Sequence, residues 1–288
     1  MGALAVGDEL ASVDGAPSRV TGIHPHGVRH VMRVTFSDGR ATRACAETLW
    51  RVHGDEWDAA QSISTQQLVR LLDSRTLWID MPHGDFGHQD PLALDPWILG
   101  AILADGAPAD APAEDEAADD GDLAVAVRSA PTRYNALSAS LAGLGLLGLA
   151  REREFVPPPF ATACRRARIA LLQGLLDNDG VISNRGEITL AVTSRRLAAD
   201  VVELVRSVGG WCRVDACEGR YTLHLRHPDP RQIFRLSSKK NRFLSGCGDN
   251  ARIALASIVP AGVAPTQGIT VSHPSRLYIT DDYIVIQE

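Results

Sequence analysis

Two stretches of this sequence repeat each other, and the repeat limits what the chain can fold into. One is Pro96-Trp-Ile-Leu-Gly-Ala-Ile-Leu-Ala-Asp-Gly106. The other is Arg168-Ile-Ala-Leu-Leu-Gln-Gly-Leu-Leu-Asp-Asn-Asp-Gly-Val-Ile-Ser183. Aligned on their Asp-Gly ends, Leu172, Gly174, Leu175, Leu176, Asp179 and Gly180 fall on Ile98, Gly100, Ala101, Ile102, Asp105 and Gly106. Each is an apolar helical run with a small residue part-way along, closed by Asp and then Gly. Gly100 and Gly174, with Ala101 and Ala104, allow two such helices to approach closely. The closing glycines are expected to stop the helices in the left-handed conformation. Asp105 and Asp179 then sit on the last turns of neighbouring helices. There each faces the negative end of a helix dipole and the like charge of the other. A divalent cation relieves both, and hard Mg²⁺ prefers carboxylate oxygen.

These two segments resemble the paired helices of LAGLIDADG homing endonucleases. Leu-Gln-Gly-Leu-Leu-Asp-Asn-Asp-Gly is close to the family pattern, and Ile-Leu-Gly-Ala-Ile-Leu-Ala-Asp-Gly is recognisable. The resemblance implies metal-dependent cleavage of double-stranded DNA, with Asp105 and Asp179 as catalytic and Mg²⁺-binding residues. Asp177 is a further candidate carboxylate.

At 288 residues with a net charge of −6, the chain can bury a sizeable core but lacks the basic balance of a strong DNA binder. Basic residues are almost all Arg, and the only lysines are Lys239 and Lys240. Cys45, Cys164, Cys212, Cys217 and Cys247 are odd in number and form no Cys-x-x-Cys pair, which fits a reduced setting and not a zinc site. Met1–Asp8 lacks the charged start of a signal peptide, and the apolar run Ala136–Ala150 is too short to span a bilayer. A cytoplasmic protein away from membranes is expected.

Residues 1–56 read as short strands broken by the turn pairs Asp14-Gly15 and Asp38-Gly39. These hairpins, followed by Thr42–Trp50, resemble the N-terminal half of an intein splicing domain, the Hint fold. At the C-terminal end, Ile253–Val259 and Gly268–Val271 read as two strands. Arg276-Leu-Tyr-Ile-Thr-Asp-Asp resembles the last intein block. Between these ends, Ile63–Leu72 reads as an amphipathic helix capped by Ser64 or Thr65. His24-Pro-His26, His83 and His88 read as loop histidines rather than ligands.

Ala107–Asp122 is acidic and low in complexity, which predicts a solvated loop that repels phosphate. Leu123–Arg128 is a candidate strand, and Arg133–Ala150 a helix plus turn. Ser194–Val208 is an amphipathic helix with Ser194 as cap, followed by the hairpin Trp211–Asp215 and Tyr221–Arg226. Arg185, Arg195, Arg213, Arg226, Lys239, Lys240 and Arg242 are the candidate DNA-contacting residues. Arg196, Arg220 and Arg231 lie near them in sequence.

The expected fold is therefore α+β. An all-β Hint-like domain from residues 1–90 and 250–288 carries an inserted LAGLIDADG domain over 91–249. That insert is of αββαββα type and pseudo-twofold, with its first half reduced. An internal pseudo-dimer makes a monomer sufficient.

Departures from the families bear on activity. The opening splicing nucleophile and the closing His-Asn of an intein have no counterparts here. Thr48 takes the place of the block histidine, so splicing is not expected. Glu154 stands where the endonuclease block carries a lysine, which opposes charge stabilisation in catalysis. Double-stranded DNA is the expected partner. The alternative is a repurposed scaffold that binds another partner or does other chemistry.

Overall fold

The computed structural model describes residues 3–105, 131–184, 186–243 and 251–288. The chain is α+β and divides into two compact units. Unit 1 comprises Met1–Phe86, Arg206–Trp211 and Gly248–Glu288, and unit 2 comprises Gly87–Val205 and Cys212–Cys247. No helix is long and apolar enough to cross a membrane among the described residues.

Unit 1 is built on a large, nearly closed antiparallel sheet of nine strands. Its strands are β1 (Glu9–Leu10), β2 (Ser18–Phe36), β3 (Ala41–Cys45), β4 (Leu49–Gly54), β5 (Gln61–Ser64) and β6 (Leu77–Asp80), with three more from the C-terminal part of the chain. The main path runs β1, β2, the long Arg252–Val271 strand, β6, β4 and then the two short closing strands, while β3 pairs with β2 and β5 with β4. The turn pairs behave as expected. Gly15 and Gly39 both have φ of +84°, and Phe36 and Arg40 close the β2–β3 hairpin.

The two longest strands differ from the sequence reading. His24-Pro-His26 is not a loop but part of β2. Likewise Ile253–Val259 and Gly268–Val271 are the ends of one continuous strand. These strands pair from Leu255↔Phe36 to Val271↔Val20. The residues that look like breaks are absorbed by irregularities in the register. One shift lies between Pro260 and Val263, where Gly262 has φ of +86°, and another between Thr266 and Gln267, opposite Pro25. Proline, which donates no ladder hydrogen bond, is tolerated at such bulges.

The core of this unit is the inner face of the sheet. Trp50, Val34, Phe36, Val52, Leu77 and Ile79 are buried there with Ile253, Leu255 and Ile286. Trp50 donates its indole N–H to Thr65 Oγ1 at 2.9 Å. Thr65 opens helix α1 (Thr65–Leu72), and Ser64 is its cap. Ser64 Oγ accepts from Gln67 N while Gln67 Oε1 accepts from Ser64 N, a complete capping box. Ser64→Ala is expected to lower stability by about 1 kcal/mol, read by chemical denaturation. At the β2–β3 hairpin, buried Asp38 accepts from Arg40 Nε at 2.8 Å and also pairs with Arg206.

Unit 2 contains helices α2 (Pro96–Asp105), α3 (Pro131–Gly143), α4 (Arg165–Asp179) and α5 (Arg195–Ser207). Its four-stranded antiparallel sheet has the order β7 (Val181–Ile182), β8 (Ile188–Val192), β10 (Arg220–Arg226), β9 (Trp211–Cys217). The remaining strands of unit 1 are then β11 (Arg252–Val271), β12 (Leu277–Ile279) and β13 (Val285–Gln287). The helical turn after α3 and the β9–β10 hairpin follow the sequence reading, and Glu218 and Gly219 take positive φ in the hairpin turn. Ser194 Oγ accepts from Leu197 N at 3.1 Å and so caps α5. The candidate strand Leu123–Arg128, the acidic tract Ala107–Asp122 and Gly106 lie outside the described residues.

Candidate functional site

Helices α2 and α4 pack through their glycines. A Cβ on Gly100 would lie 2.1 Å from the Leu171 carbonyl oxygen and 3.0 Å from Gly174 Cα. One on Gly174 would lie 2.1 Å from the Trp97 carbonyl oxygen and 2.9 Å from Gly100 Cα. The backbones therefore touch at the point the repeat predicts. Leu99, Ile102, Leu103, Leu171, Leu172, Leu175 and Leu176 fill the surrounding core. The closing glycine works differently from expectation. Gly180 has φ of −67°, not a left-handed value. It is required because a Cβ would meet the Leu176 carbonyl oxygen at 2.4 Å.

This packing places Asp105 and Asp179 at adjacent helix ends, both exposed. The Asp179 carboxyl is pushed up from its ordinary value, first by partial desolvation and then by the negative charge of Asp105. Two cations oppose that effect, Arg151 and Lys239. Each belongs to one helix end. Arg151 Nη2 donates to the Ala104 carbonyl oxygen of α2 at 2.5 Å. Lys239 Nζ donates to the Leu176 and Gly180 carbonyl oxygens of α4 at 2.6 and 2.9 Å. Burial lowers the pKa of Lys239, while Asp177 and Asp179 raise it.

Asp177 does not join the exposed pair. It is buried and accepts from Trp97 Nε1 at 3.1 Å, from Arg235 N at 3.0 Å and from Leu236 N at 3.2 Å. The Arg235 guanidinium also lies over the Trp97 ring, 5.1 Å from its centroid. This carboxylate is a structural anchor between α4 and the segment before Lys239.

The other sequence candidates are spread over unit 2. On the outer face of the sheet, Arg213 and His224 both meet Asp215, at 3.2 and 3.1 Å, and Arg226 is exposed on the same face of β10. Arg195 is exposed at the start of α5, Arg242 is exposed, and Lys240 is half-buried. Arg185 lies outside the described residues. Arg196 stacks over Phe155, 3.9 Å from the ring centroid. Glu154 is buried, and its backbone carbonyl accepts the Ser194 hydroxyl at 2.6 Å. The resemblance places the expected cation at position 154, whereas the arginine beside the carboxylate pair is Arg151. The only sequence signal for Arg151 is its place as the first of two basic residues in the Arg151-Glu-Arg-Glu run.

His88 ties its loop to a distant segment, with Nε2 2.8 Å from the Pro159 carbonyl oxygen. Among the described residues no group of three or more His, Cys, Asp or Glu side chains is placed to hold a metal ion. Asp105 and Asp179 are two carboxylates whose negative charges act on each other, and hard oxygen donors of this kind suit a divalent cation that takes its further ligands from water, backbone or a phosphate.

No protein-family model matches the chain. It is similar to the replicative DNA helicase DnaB of Mycobacterium intracellulare. The two are 26% identical over 328 aligned positions, which take in 99% of this chain and 54% of the helicase sequence. The chain thus spans about half the length of the curated relative it matches.

Proposed function

We propose that the chain is an intein-derived, LAGLIDADG-type endonuclease-like protein that cleaves double-stranded DNA with Mg²⁺. Unit 1 would be the Hint-like part and unit 2 the inserted nuclease part. The observation that carries this reading is the Gly100–Gly174 helix contact that brings Asp105 and Asp179 together, with Arg151 on one helix end and Lys239 on the other. The relationship to DnaB supports it, because helicases of that kind carry inteins in some species.

Asp105 and Asp179 would hold the divalent metal, which when bound supplies Lewis-acid stabilisation of phosphate charge and an activated water. The side chains of the protein do the positioning. Arg151 and Lys239 are fixed by helix carbonyls, so their positive charge needs no reorganisation as negative charge develops on a scissile phosphate. Arg213, His224 and Arg226 on the outer sheet face would meet the DNA backbone, with Asp215 orienting the first two. In unit 1 the Cys45 thiol lies 3.2 Å from the Thr48 hydroxyl. Thr48 offers a hydroxyl where an intein uses an imidazole, so it supplies no group that titrates near neutral pH.

The test is cleavage of plasmid and host genomic DNA with Mg²⁺, comparing wild type with Asp105→Asn and Asp179→Asn. Wild type is expected to give discrete double-strand breaks, and each variant to fall to a hundredth or less, about 2.7 kcal/mol of lost transition-state stabilisation. The raised pKa of Asp179 gives a second readout from the same variant. Its ionised form is disfavoured by the fold, so the cost is present above the folded-state pKa and vanishes as pH falls below the ordinary value of 3.8. Asp179→Asn should therefore be slightly more stable than wild type at neutral pH without metal, and not at pH 3. No cleavage together with no duplex binding at low salt would overturn the reading in favour of a repurposed scaffold.

A further inference from the structure

Unit 1 holds a cleft of about 1030 Å³ between the β2–β3 hairpin, the middle of β11 and the Tyr278–Ile286 segment. Arg33 and Arg43 line it and are directly opposite each other across the antiparallel pair. Side chains so placed have their Cβ atoms about 5 Å apart, and like charges there are destabilising. Other arginines of this sheet are neutralised: Arg19 by Glu9, Arg29 by Glu47, Arg40 by Asp38 and Arg51 by Asp80. The side chains of Arg33 and Arg43 make no hydrogen bond or ion pair among the described residues. A chain with net charge −6 has carboxylates to spare, so a shortage of acidic residues does not explain the exception.

We propose that this cleft is an oxyanion site in which Arg33 and Arg43 grip one phosphate group between them. Each guanidinium presents a planar fork of N–H donors suited to two oxygens of one anion. Two such forks facing each other match a doubly charged tetrahedral group better than a single carboxylate, which would satisfy one fork and leave the other. The Thr48 hydroxyl and the Cys45 thiol line the same cleft as further weak donors, and Val259, opposite Arg33 on β11, gives an apolar flank. Asp281 also lines the cleft, and its negative charge opposes a bound anion. The site is independent of the carboxylate pair in unit 2.

The test uses the full chain with inorganic phosphate, followed by ³¹P line-broadening and by thermal unfolding at constant ionic strength with chloride as the reference. Wild type should broaden the ³¹P line and unfold at a higher temperature in phosphate, and acetate should do this less. Arg33→Gln and Arg43→Gln should each abolish both effects. Because each variant removes the repulsion, it should be at least as stable as wild type in chloride. Arg29→Gln, which breaks a neutralised pair, should leave the phosphate response intact, and Asp281→Asn should strengthen it. An equal phosphate response in wild type and in the Arg33→Gln/Arg43→Gln double variant would overturn the proposal. So would a loss of stability in chloride on removing either arginine, because the pair would then be structural. A response to acetate as strong as that to phosphate would overturn the assignment to a phosphate group and leave a carboxylate site.

Discussion

Replacing Gly174 with alanine should cost about 3 kcal/mol or more and spread the two carboxylates apart. The added Cβ would lie 2.1 Å from the Trp97 carbonyl oxygen, 2.7 Å from Ala101 N and 2.9 Å from Gly100 Cα. All three are backbone atoms, so no rotamer change makes room. Helices α2 and α4 must separate, and the leucines around the contact lose their packing. The gain in helix propensity from Gly to Ala, at most about 1 kcal/mol, is too small to offset this. Gly100→Ala should behave alike, since its Cβ would meet the Leu171 carbonyl oxygen at 2.1 Å. Gly143, at the end of α3, has nothing among the described residues within 4 Å of its Cβ position and is the control. Gly143→Ala should be neutral or slightly stabilising. Urea denaturation of the three variants decides the matter, and an unchanged midpoint for Gly174→Ala would refute the close contact.

Asp177→Ala should be comparably damaging for a different reason. It would leave Trp97 Nε1 and the amides of Arg235 and Leu236 buried or half-buried without an acceptor. Each orphaned donor costs about 1–3 kcal/mol, with some relief from water, so a total of about 3–5 kcal/mol is expected. Asp177→Asn keeps one acceptor oxygen and should cost roughly half as much. The Arg235–Leu236 segment leads into Lys239, so this loss should also loosen the Lys239 ammonium from the end of α4. Cleavage by Asp177→Asn should fall less than by Asp179→Asn, while its stability falls more. The reverse order would make Asp177 the site carboxylate and Asp179 the anchor.

The helix pair is legible in the sequence because it depends on one-dimensional pattern. Two apolar runs, two glycines in matching register and two terminal aspartates define the contact by themselves. The α1 capping box and the cap of α5 are legible for the same reason, being local. What the sequence hides is non-local. Pro25, Pro260, Gly262 and Pro265 read as breaks in separate short strands, yet β2 and β11 run through them because long-range pairing tolerates bulges. Asp177 and Asp179 look equivalent two residues apart on one helix. A separation of two places them on different faces, and only the folded chain shows which one the 235–236 amides cover. Lys239 reads as a surface contact for phosphate. Nothing in the sequence shows that its ammonium folds back onto the Leu176 and Gly180 carbonyls beside Asp179. Arg151 escapes notice because the family resemblance points to Glu154, three residues further on.

The long β2–β11 pairing also sets the order in which this protein can be made. Phe36 must find Leu255 and Val20 must find Val271, across more than two hundred residues of intervening chain. Closing so large a loop adds entropy cost only logarithmically, about (3/2)RT ln n, so the finished sheet is little weakened. The rate is another matter, because pairing at this sequence distance is slow. On the ribosome, β2 emerges as a nineteen-residue strand whose main partner has not yet been synthesised. During that interval its open edge is a template for association with other chains, which makes yield during synthesis, rather than final stability, the quantity most exposed to mutation in this strand.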